Sequence, residues 1–194
     1  MLRVIAGSHR GRRLEAPAGD AVRPTADRTR EAVFNILAHA GWGSDGGSAL
    51  TGARVLDAFC GSGALGLEAL SRGAATCTFL DTAQAALDCV RRNVAALHEE
   101  ARATLIRADA LAPPAAREPA TLVFLDPPYG RDLPGPALTA LAQRGWLAPG
   151  ALIVVETAKS DPAPSHQFCE NLDERYYRLT AIHILHYRNL LSAP

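Results

Sequence analysis

The chain has 194 residues, of which 48% are hydrophobic and 21% charged, with 20 basic side chains balanced by 20 acidic ones. This length and hydrophobic share predict one globular domain with a substantial core and exclude a disordered chain. A formal net charge of zero argues against a uniformly basic nucleic-acid binder, and the lack of a run of about 20 apolar residues argues against a membrane helix.

Basic residues and cysteines are unevenly placed. Residues 1–31 hold seven arginines against four acids, and residues 1–13 hold no acid at all. The four cysteines lie far apart without a C-x-x-C pair, which indicates buried, reduced thiols in a cytoplasmic protein and neither a disulfide framework nor a zinc site. The first residues contain too short an apolar stretch for a signal peptide.

The first segment, residues 1–41, is predicted to form a short hairpin and a helix. Residues 3–6 and 12–15 flank a glycine-containing turn, and a helix follows from about residue 28 to 39 with Asp27 as its N-cap. A Gly/Ser-rich stretch at residues 42–49 indicates a flexible connection to the body of the protein at residues 50–194.

The body alternates between strands and helices. We expect strands at residues 54–58, 76–80, 104–106, 122–125 and 151–156, helices at 64–72, 84–99 and 136–144, and a closing strand pair at 175–179 and 181–187. This alternation predicts an α/β fold with a mostly parallel sheet and helices on both faces. Ligands of such sheets bind beyond the carboxyl ends of the strands.

A glycine loop follows the first of these strands, with the spacing Gly61-x-Gly63-x-x-Gly66. This spacing suits either a tight strand–helix turn or close approach of the backbone to a ligand. Asp57, Asp81 and Asp109 lie at or just after the ends of three successive strands, an arrangement typical of a nucleoside pocket.

Two nucleoside ligands fit such a pocket, and Asp57 distinguishes them. A dinucleotide places a pyrophosphate against the helix N-terminus, where the charge of Asp57 would repel it. S-adenosylmethionine instead offers an ammonium group that Asp57 could anchor directly or through water. We therefore expect S-adenosylmethionine, with Asp81 at the ribose hydroxyls and Asp109 near the adenine amine.

The fourth strand runs into Asp126-Pro127-Pro128-Tyr129. The two prolines remove backbone donors and stiffen the turn, which leaves the Asp126 carboxylate and the Pro127 carbonyl as acceptors for the N–H groups of an exocyclic amine. These acceptors would also stabilise the positive charge that develops on the amine nitrogen during methylation. Tyr129 offers a face on which a base can stack.

Taken together, residues 58–73 and 126–129 resemble a class I S-adenosylmethionine-dependent methyltransferase that acts on an amino group. Residues 3–7, 10–14 and 23–37 further resemble the RsmD family of bacterial 16S ribosomal RNA guanine-966 N2-methyltransferases. The resemblance implies a seven-stranded Rossmann-like domain and a substrate on the assembled small subunit or its precursor. It also implies catalysis at residues 126–129 and cofactor contacts at Asp81, Asp109 and the glycine loop, including Phe59, Cys60, Gly61, Ser62 and Gly63.

The sequence departs from this family at two positions. An acid often found two residues after the ribose-binding acid is replaced by Ala83, and a position that is often small is Cys60. Neither departure removes a group that the chemistry requires.

Arginines of the first segment are candidates for RNA binding. We expect the hairpin to be an RNA arm outside the catalytic core, with a charged, solvated edge strand as the alternative. Residues 23–31 are expected to line the catalytic cleft, with Asn35 near the cofactor. The predicted RNA contacts are Arg3, Arg10, Arg12, Arg13, Arg23, Arg28 and Arg30.

Three alternatives stay open at this point. DNA adenine N6-methylation suits the same tetrapeptide but usually needs a larger target-recognition region. A nicotinamide-dependent oxidoreductase and a non-enzymatic RNA-binding module leave the acids and the tetrapeptide unexplained. We expect no metal, because His183 and His186 lie three apart on a predicted strand, on opposite faces and exposed. We also expect a monomer.

Overall fold

A computed structural model describes residues 2–17, 24–43 and 45–188. The helices are α1 (Pro24–His39), α2 (Ala64–Ser71), α3 (Gln84–Leu97) and α4 (Pro134–Gln143). The strands are β1 (Arg54–Ala58), β2 (Thr76–Asp81), β3 (Ala103–Arg107), β4 (Ala120–Leu125), β5 (Leu147–Ala158), β6 (Cys169–Tyr176) and β7 (Thr180–Tyr187). These seven strands form one sheet in the order β3-β2-β1-β4-β5-β7-β6, in which β7 runs in the direction opposite to the other six.

The central strands are apolar along their length because both of their faces are covered. β4 is buried from Leu122 to Leu125, and β1 is buried from Val55 to Ala58. In the register of the sheet, Ala58 lies beside Leu80 and Leu125. The carboxyl ends of β1, β2 and β4 therefore lie side by side, and the predicted α/β fold class is confirmed.

Two apolar layers enclose the sheet. On one face α1, α2 and α3 bury a cluster in which the rings of Phe34 and Phe124 lie 5.4 Å apart. On the other face α4 packs Leu138 against Val123 and Ile153. This packing fixes the strand ends from which the site is built.

The N-terminal hairpin belongs to the first of these layers. Leu2, Val4 and Leu14 are buried in it, and the buried carboxylate of Glu68 on α2 accepts hydrogen bonds from the backbone N–H groups of Ile5 (2.7 Å) and Ala6 (3.0 Å). The hairpin therefore shares one hydrophobic core with the body and is not a separate unit, while its role as an RNA-binding segment stays a prediction.

The connection at residues 42–49 contains a hydrogen-bonded turn, in which the Gly43 N–H donates to the Gly47 carbonyl and the Gly46 N–H to the Gly43 carbonyl. Its flexibility stays a prediction. Two local expectations need correction. α1 starts at Pro24, so Asp27 lies within the helix and does not cap it. β6 starts at Cys169, six residues before the predicted strand, because pairing with β7 orders a polar edge segment that has no apolar alternation.

His183 is buried, contrary to the expected exposure. Its ring lies between the Thr157 hydroxyl, at 3.2 Å, and the Glu174 carboxylate, at 3.1 Å. The described residues contain no cluster of three or more potential metal ligands. Over the same residues, no helix combines the length and apolar character needed to cross a membrane.

Candidate active site

A pocket of about 530 Å³ opens at the carboxyl edge of the sheet. Its size lies within the range usual for small-molecule sites. It brings together the glycine loop after β1, the end of β2 and the tetrapeptide after β4. Its lining includes Asp57, Phe59, Cys60, Gly61, Ser62, Asp81, Asp126, Pro127, Pro128 and Tyr129.

The three glycines of the loop have different structural roles. Gly61 has a φ of +52°, and a Cβ built on it would meet nothing within 4 Å, so its backbone faces open space in the pocket. Gly63 and Gly66 instead face the core. A Cβ on Gly66 would lie 2.4 Å from Phe79 and 2.5 Å from the Cys77 sulfur. Gly66 therefore lets α2 pack tightly on β2, while Gly61 leaves room for a ligand.

Phe59 lies in the left-handed region with a φ of 64°. Aromatic residues adopt this conformation rarely, and it carries a cost that the surrounding structure must hold in place. The unusual backbone turns the chain from β1 into the loop and places Phe59 in the pocket lining. Residue type alone gives no signal of this turn.

Asp57 is the most deeply buried acid of the site, with 1% of its surface exposed. Its carboxylate accepts a hydrogen bond from the backbone N–H of Gly66 at 2.9 Å. Burial raises the pKa of Asp57 to about 7, and the nearby charge of Asp81 adds to the increase, while the Gly66 hydrogen bond opposes it. A cationic group in the pocket would stabilise the ionised form.

Asp81 fixes the shape of the loop as well as lining the pocket. One of its carboxylate oxygens accepts from the Gly61 N–H at 3.0 Å, and the other accepts from the Ala83 N–H at 2.8 Å. Each carboxylate oxygen has further acceptor capacity for a ligand hydroxyl. Asp81 therefore lines the pocket, and its role at the ribose hydroxyls stays a prediction.

Asp109 and Asn35 are placed differently from Asp81. Asp109 is exposed beyond β3, where it accepts from the Leu111 N–H at 2.9 Å, and it lies outside the pocket lining. The Asn35 amide oxygen accepts from Arg72 at 3.3 Å, at the end of α2 opposite the glycine loop. The expectation that Asn35 lies near the cofactor was therefore wrong.

Asp126 faces a second acid that sequence reasoning missed. Glu156 lies near the end of β5, the neighbour of β4 in the sheet. Asp126 as a whole is exposed, but shielding of its carboxyl from water, followed by the negative charges of Glu156 and Asp57, raises the pKa of Asp126 above its usual range. The sequence pattern that predicted Asp57 and Asp81, an acid at the carboxyl end of a strand, could also have identified Glu156.

Tyr129 lies at the mouth of the pocket with 40% of its surface exposed. Its hydroxyl donates to the Glu156 carboxylate at 2.6 Å and lies 3.4 Å from the Thr180 hydroxyl. Partial burial, together with the hydrogen bond to Glu156, raises the pKa of Tyr129. The phenol therefore stays neutral, and its ring is held at a defined angle beside Asp126.

A smaller cavity of about 180 Å³ adjoins the pocket. The two share a wall made by Pro127, Pro128 and Tyr129, and the smaller one is also lined by Glu156 and Thr157. The tetrapeptide thus faces two spaces, one beside the glycine loop and one beside Glu156. Such a pair can hold two reactants on either side of one acceptor group.

The hairpin turn, residues 7–11, lies at the opposite edge of the sheet. The backbone N–H groups of Ser8 and His9 bond to Ser71 at the carboxyl end of α2, and the His9 ring contacts Glu99 after α3. Because α2 and α3 run away from the pocket, these contacts place the turn far from it.

The predicted RNA-binding arginines are therefore divided between several environments. Arg3, Arg10, Arg12, Arg13 and Arg28 are exposed. Arg12 donates to the Ala96 carbonyl at 2.9 Å. Arg30 is 6% exposed and donates to the Arg3 carbonyl at 2.7 Å, so the expectation of an RNA contact there was wrong. Arg23 lies outside the described residues.

Asn93 links the hairpin to the glycine loop, another role that sequence reasoning missed. From the buried face of α3, its amide donates to the carbonyls of Glu15 and Ser62, each at 3.0 Å, and its oxygen accepts from the Glu15 N–H. The sequence did contain an indication of this role, because Asn93 lies on the apolar face of α3 with Val90 and Val94, and a buried amide needs hydrogen-bond partners.

The seven-stranded sheet, the glycine loop rimmed by acids and the tetrapeptide after β4 define a Rossmann-like class I methyltransferase. Comparison with known proteins gives the family. Residues 2–186 match the model of the family described as Conserved hypothetical protein 95. The chain belongs to this family, which is the RsmD family that its motifs resemble.

Similar proteins span nearly the whole chain. Ribosomal RNA small subunit methyltransferase D of Escherichia coli (strain K12) is 39% identical over 165 residues, which are 84% of this chain and 78% of that protein. The protein of the same name from Haemophilus influenzae is 37% identical, over 83% of this chain and 81% of that one. The solved structure of YhhF from Escherichia coli superposes with a TM-score of 0.79 at 35% identity, over 96% and 98% of the two chains.

Proposed function

We propose that the protein transfers a methyl group from S-adenosylmethionine to the exocyclic N2 amine of a guanine in 16S ribosomal RNA. The names of the similar proteins support a small-subunit ribosomal RNA substrate, and the resemblance to the RsmD family supports guanine 966 on an assembled or assembling subunit. The observation that carries the proposal is the placement of Asp126 and Tyr129 on the rim of the pocket that holds the glycine loop.

The residues of the pocket fit the proposed cofactor. Asp57 suits an ammonium group. Burial alone favours the protonated form of its carboxyl, and a bound cation would stabilise the ionised form by compensating for the lost hydration. Gly61 leaves space for the adenosine, and Asp81 can accept from the ribose hydroxyls. When bound, the cofactor supplies an activated methyl group on a sulfonium.

The substrate amine lies, in this proposal, between Asp126 and the Pro127 carbonyl. Two acceptors for the two N–H groups orient the nitrogen lone pair toward the methyl group and stabilise the charge that develops on nitrogen. The ionised Asp126 carboxylate can take the amine proton once the methyl group has been transferred.

Glu156 favours guanine over adenine in this arrangement. The Watson–Crick edge of guanine carries N–H donors at N1 and N2, whereas the N1 atom of adenine is an acceptor that a carboxylate repels. Glu156 lies within hydrogen-bond distance of the Tyr129 hydroxyl and beside Asp126, so it is placed to accept from the N1–H of a base stacked on that ring. This second carboxylate disfavours DNA adenine N6-methylation.

The remaining alternatives are also disfavoured. A nicotinamide dinucleotide would bring its pyrophosphate close to Asp57, and a non-enzymatic RNA-binding module has no use for Asp126 in a ligand pocket. We propose that the protein acts as a cytoplasmic monomer, with exposed arginines of the first segment as additional RNA contacts.

Calorimetry and labelled methyl transfer test this proposal. S-adenosylhomocysteine should bind the wild type and NAD should not. Label should pass to small subunits from cells that lack the enzyme, but not to DNA. Glu156→Gln should reduce transfer to guanine at least tenfold with little change in cofactor affinity, since it removes the charge from the N1–H acceptor. Binding of NAD alone, or transfer to DNA alone, would contradict the proposal.

A further inference from the structure

We propose that the turn between β6 and β7 binds unpaired RNA nucleotides next to the target guanine. The surface consists of Lys159, Tyr176, Arg178 and Leu179, and is called here the β6–β7 ledge. The inference rests on the proposed function, because it assigns a binding surface to the RNA substrate of that reaction.

The ledge adjoins the active site through three short contacts. β7 runs antiparallel to β5, so Thr180 at its start lies at the carboxyl edge of the sheet, paired with Ala158. The Lys159 N–H donates to the Leu179 carbonyl at 3.0 Å. The Thr180 hydroxyl lies 3.4 Å from that of Tyr129. A nucleotide chain that places a base on Tyr129 must therefore pass close to the ledge.

The ledge exposes apolar and aromatic surface that the fold does not use. Tyr176 is 58% exposed and Leu179 is 66% exposed, more than any other large hydrophobic residue among those described. Exposed aromatic rings next to a nucleic-acid site act as stacking platforms for bases, with little preference for sequence. Tyr176 is thus available to stack a base outside the catalytic pocket.

Two basic side chains lie near the Tyr176 ring. The Lys159 ammonium lies 6.0 Å from the centre of the Tyr176 ring, and Arg178 is exposed two residues further along the chain. Within the described parts of the chain, neither cation has a carboxylate at ion-pair distance. Both charges are therefore available to phosphate groups.

The acids around the ledge are already engaged. Asp173 pairs with Arg175 at 2.9 Å, and Glu174 accepts from the Tyr176 hydroxyl at 2.7 Å while it faces His183. Asp161 accepts from the Gly130 N–H at 3.2 Å. These contacts reduce the repulsion that the three carboxylates would exert on an RNA backbone.

The turn between β6 and β7 lacks the residue types that usually form hairpin turns. Residues 177–179 read Tyr-Arg-Leu, without the glycine, asparagine, aspartate or proline that usually form hairpin turns. The Tyr177 N–H closes the turn by donating to the Thr180 carbonyl at 2.8 Å. A turn that keeps large exposed side chains where small ones would fold more easily indicates a binding function.

The test compares two ledge variants with matched controls. Tyr176→Ala should weaken binding to protein-free 16S ribosomal RNA about 5- to 100-fold, the effect of losing one base stack. Tyr176→Phe, which keeps the ring, should bind like the wild type. Lys159→Ala/Arg178→Ala should reduce the slope of log affinity against log salt by about 1.4, since each single-strand phosphate contact contributes about 0.7.

The control for charge is Arg117→Ala/Arg144→Ala, two exposed arginines at the opposite end of the sheet, which removes the same charge and should leave the slope close to that of the wild type. Affinity for S-adenosylhomocysteine should not change in any variant. Unchanged RNA affinity in both ledge variants would overturn the inference while the proposed function stands. Weakened binding to small subunits but not to protein-free RNA would also overturn it, in favour of a protein partner. A wild type that binds neither protein-free 16S ribosomal RNA nor small subunits would refute the proposed function itself.

Discussion

Replacing Asp57 with asparagine should stabilise the ligand-free protein at neutral pH. The wild-type carboxyl is buried beside the glycine loop and has a pKa raised to about 7 from an ordinary value of 3.8. Asparagine has nearly the same shape, and its oxygen can still accept from the Gly66 N–H. The substitution therefore removes the charge and keeps the packing.

The sign and size of the effect follow from proton linkage. As pH rises from about 4 to 7, the unfolded chain releases the Asp57 proton while the folded protein retains it, so the free energy of unfolding falls. The fall is complete above pH 7. A difference of about 3 pKa units corresponds to about 4 kcal/mol. Asp57→Asn should therefore exceed the wild type by up to about 4 kcal/mol at pH 8 and match it near pH 4.

Urea unfolding at pH 4.5, 6 and 8 measures this directly, provided that the slope with denaturant is unchanged between the two proteins. The same change should weaken cofactor binding, since the ammonium loses its carboxylate. In the wild type that binding should strengthen as pH rises toward 7. An Asp57→Asn protein that is no more stable at pH 8, or whose advantage does not vary with pH, would refute the reasoning.

The remaining predictions concern the cofactor, the amine and the hairpin. Asp81→Asn should weaken binding of S-adenosylhomocysteine more than tenfold by calorimetry, because charge-assisted hydrogen bonds contribute about 1.5–3 kcal/mol each; equal affinity would exclude the ribose role. Asp126→Ala should lower turnover below about a tenth of the wild type while cofactor affinity stays within about twofold, and retention of turnover would contradict its acceptor role. Replacing Arg10, Arg12 and Arg13 with alanine should weaken RNA binding and reduce its salt slope, with cofactor affinity unchanged. A normal slope would show that the hairpin is only a structural edge.

The central strands of the fold could be predicted from the sequence, and three of the predicted site acids line the pocket. β1 and β4 are buried on both faces, so their apolar runs and the acids that follow them could be read directly. Asp57, Asp81 and Asp126 met in one pocket because parallel strands share their carboxyl edge. These acids lie close together because β2, β1 and β4 are neighbours in the sheet, and no local sequence pattern specifies that order.

The features that sequence reasoning missed depend on contacts between distant parts of the chain. Glu156 belongs to the site only because β5 lies beside β4, an order that periodicity does not specify. β6 is a polar edge strand that takes its conformation from β7. Glu68 is an ordinary acid within α2 until the hairpin backbone is seen to bond to it, across more than 60 residues.

The packing of the hairpin likewise depends on contacts between distant parts of the chain. A cluster of arginines without acids predicts a solvated arm, yet Leu2, Val4 and Leu14 are buried beneath it. The arginines of this segment are exposed, as their charge predicts, but burial of the three apolar residues determines where the hairpin packs.

The most direct measurement of the central claim is identification of the methylated nucleoside. Small subunits from cells lacking the enzyme would be incubated with the protein and labelled S-adenosylmethionine, and their 16S ribosomal RNA would be digested and analysed by mass spectrometry. We predict N2-methylguanosine at a single position, guanine 966, and less than about a tenth of that product with Asp126→Ala. N6-methyladenosine, or label on a guanine atom other than N2, would contradict the proposed function.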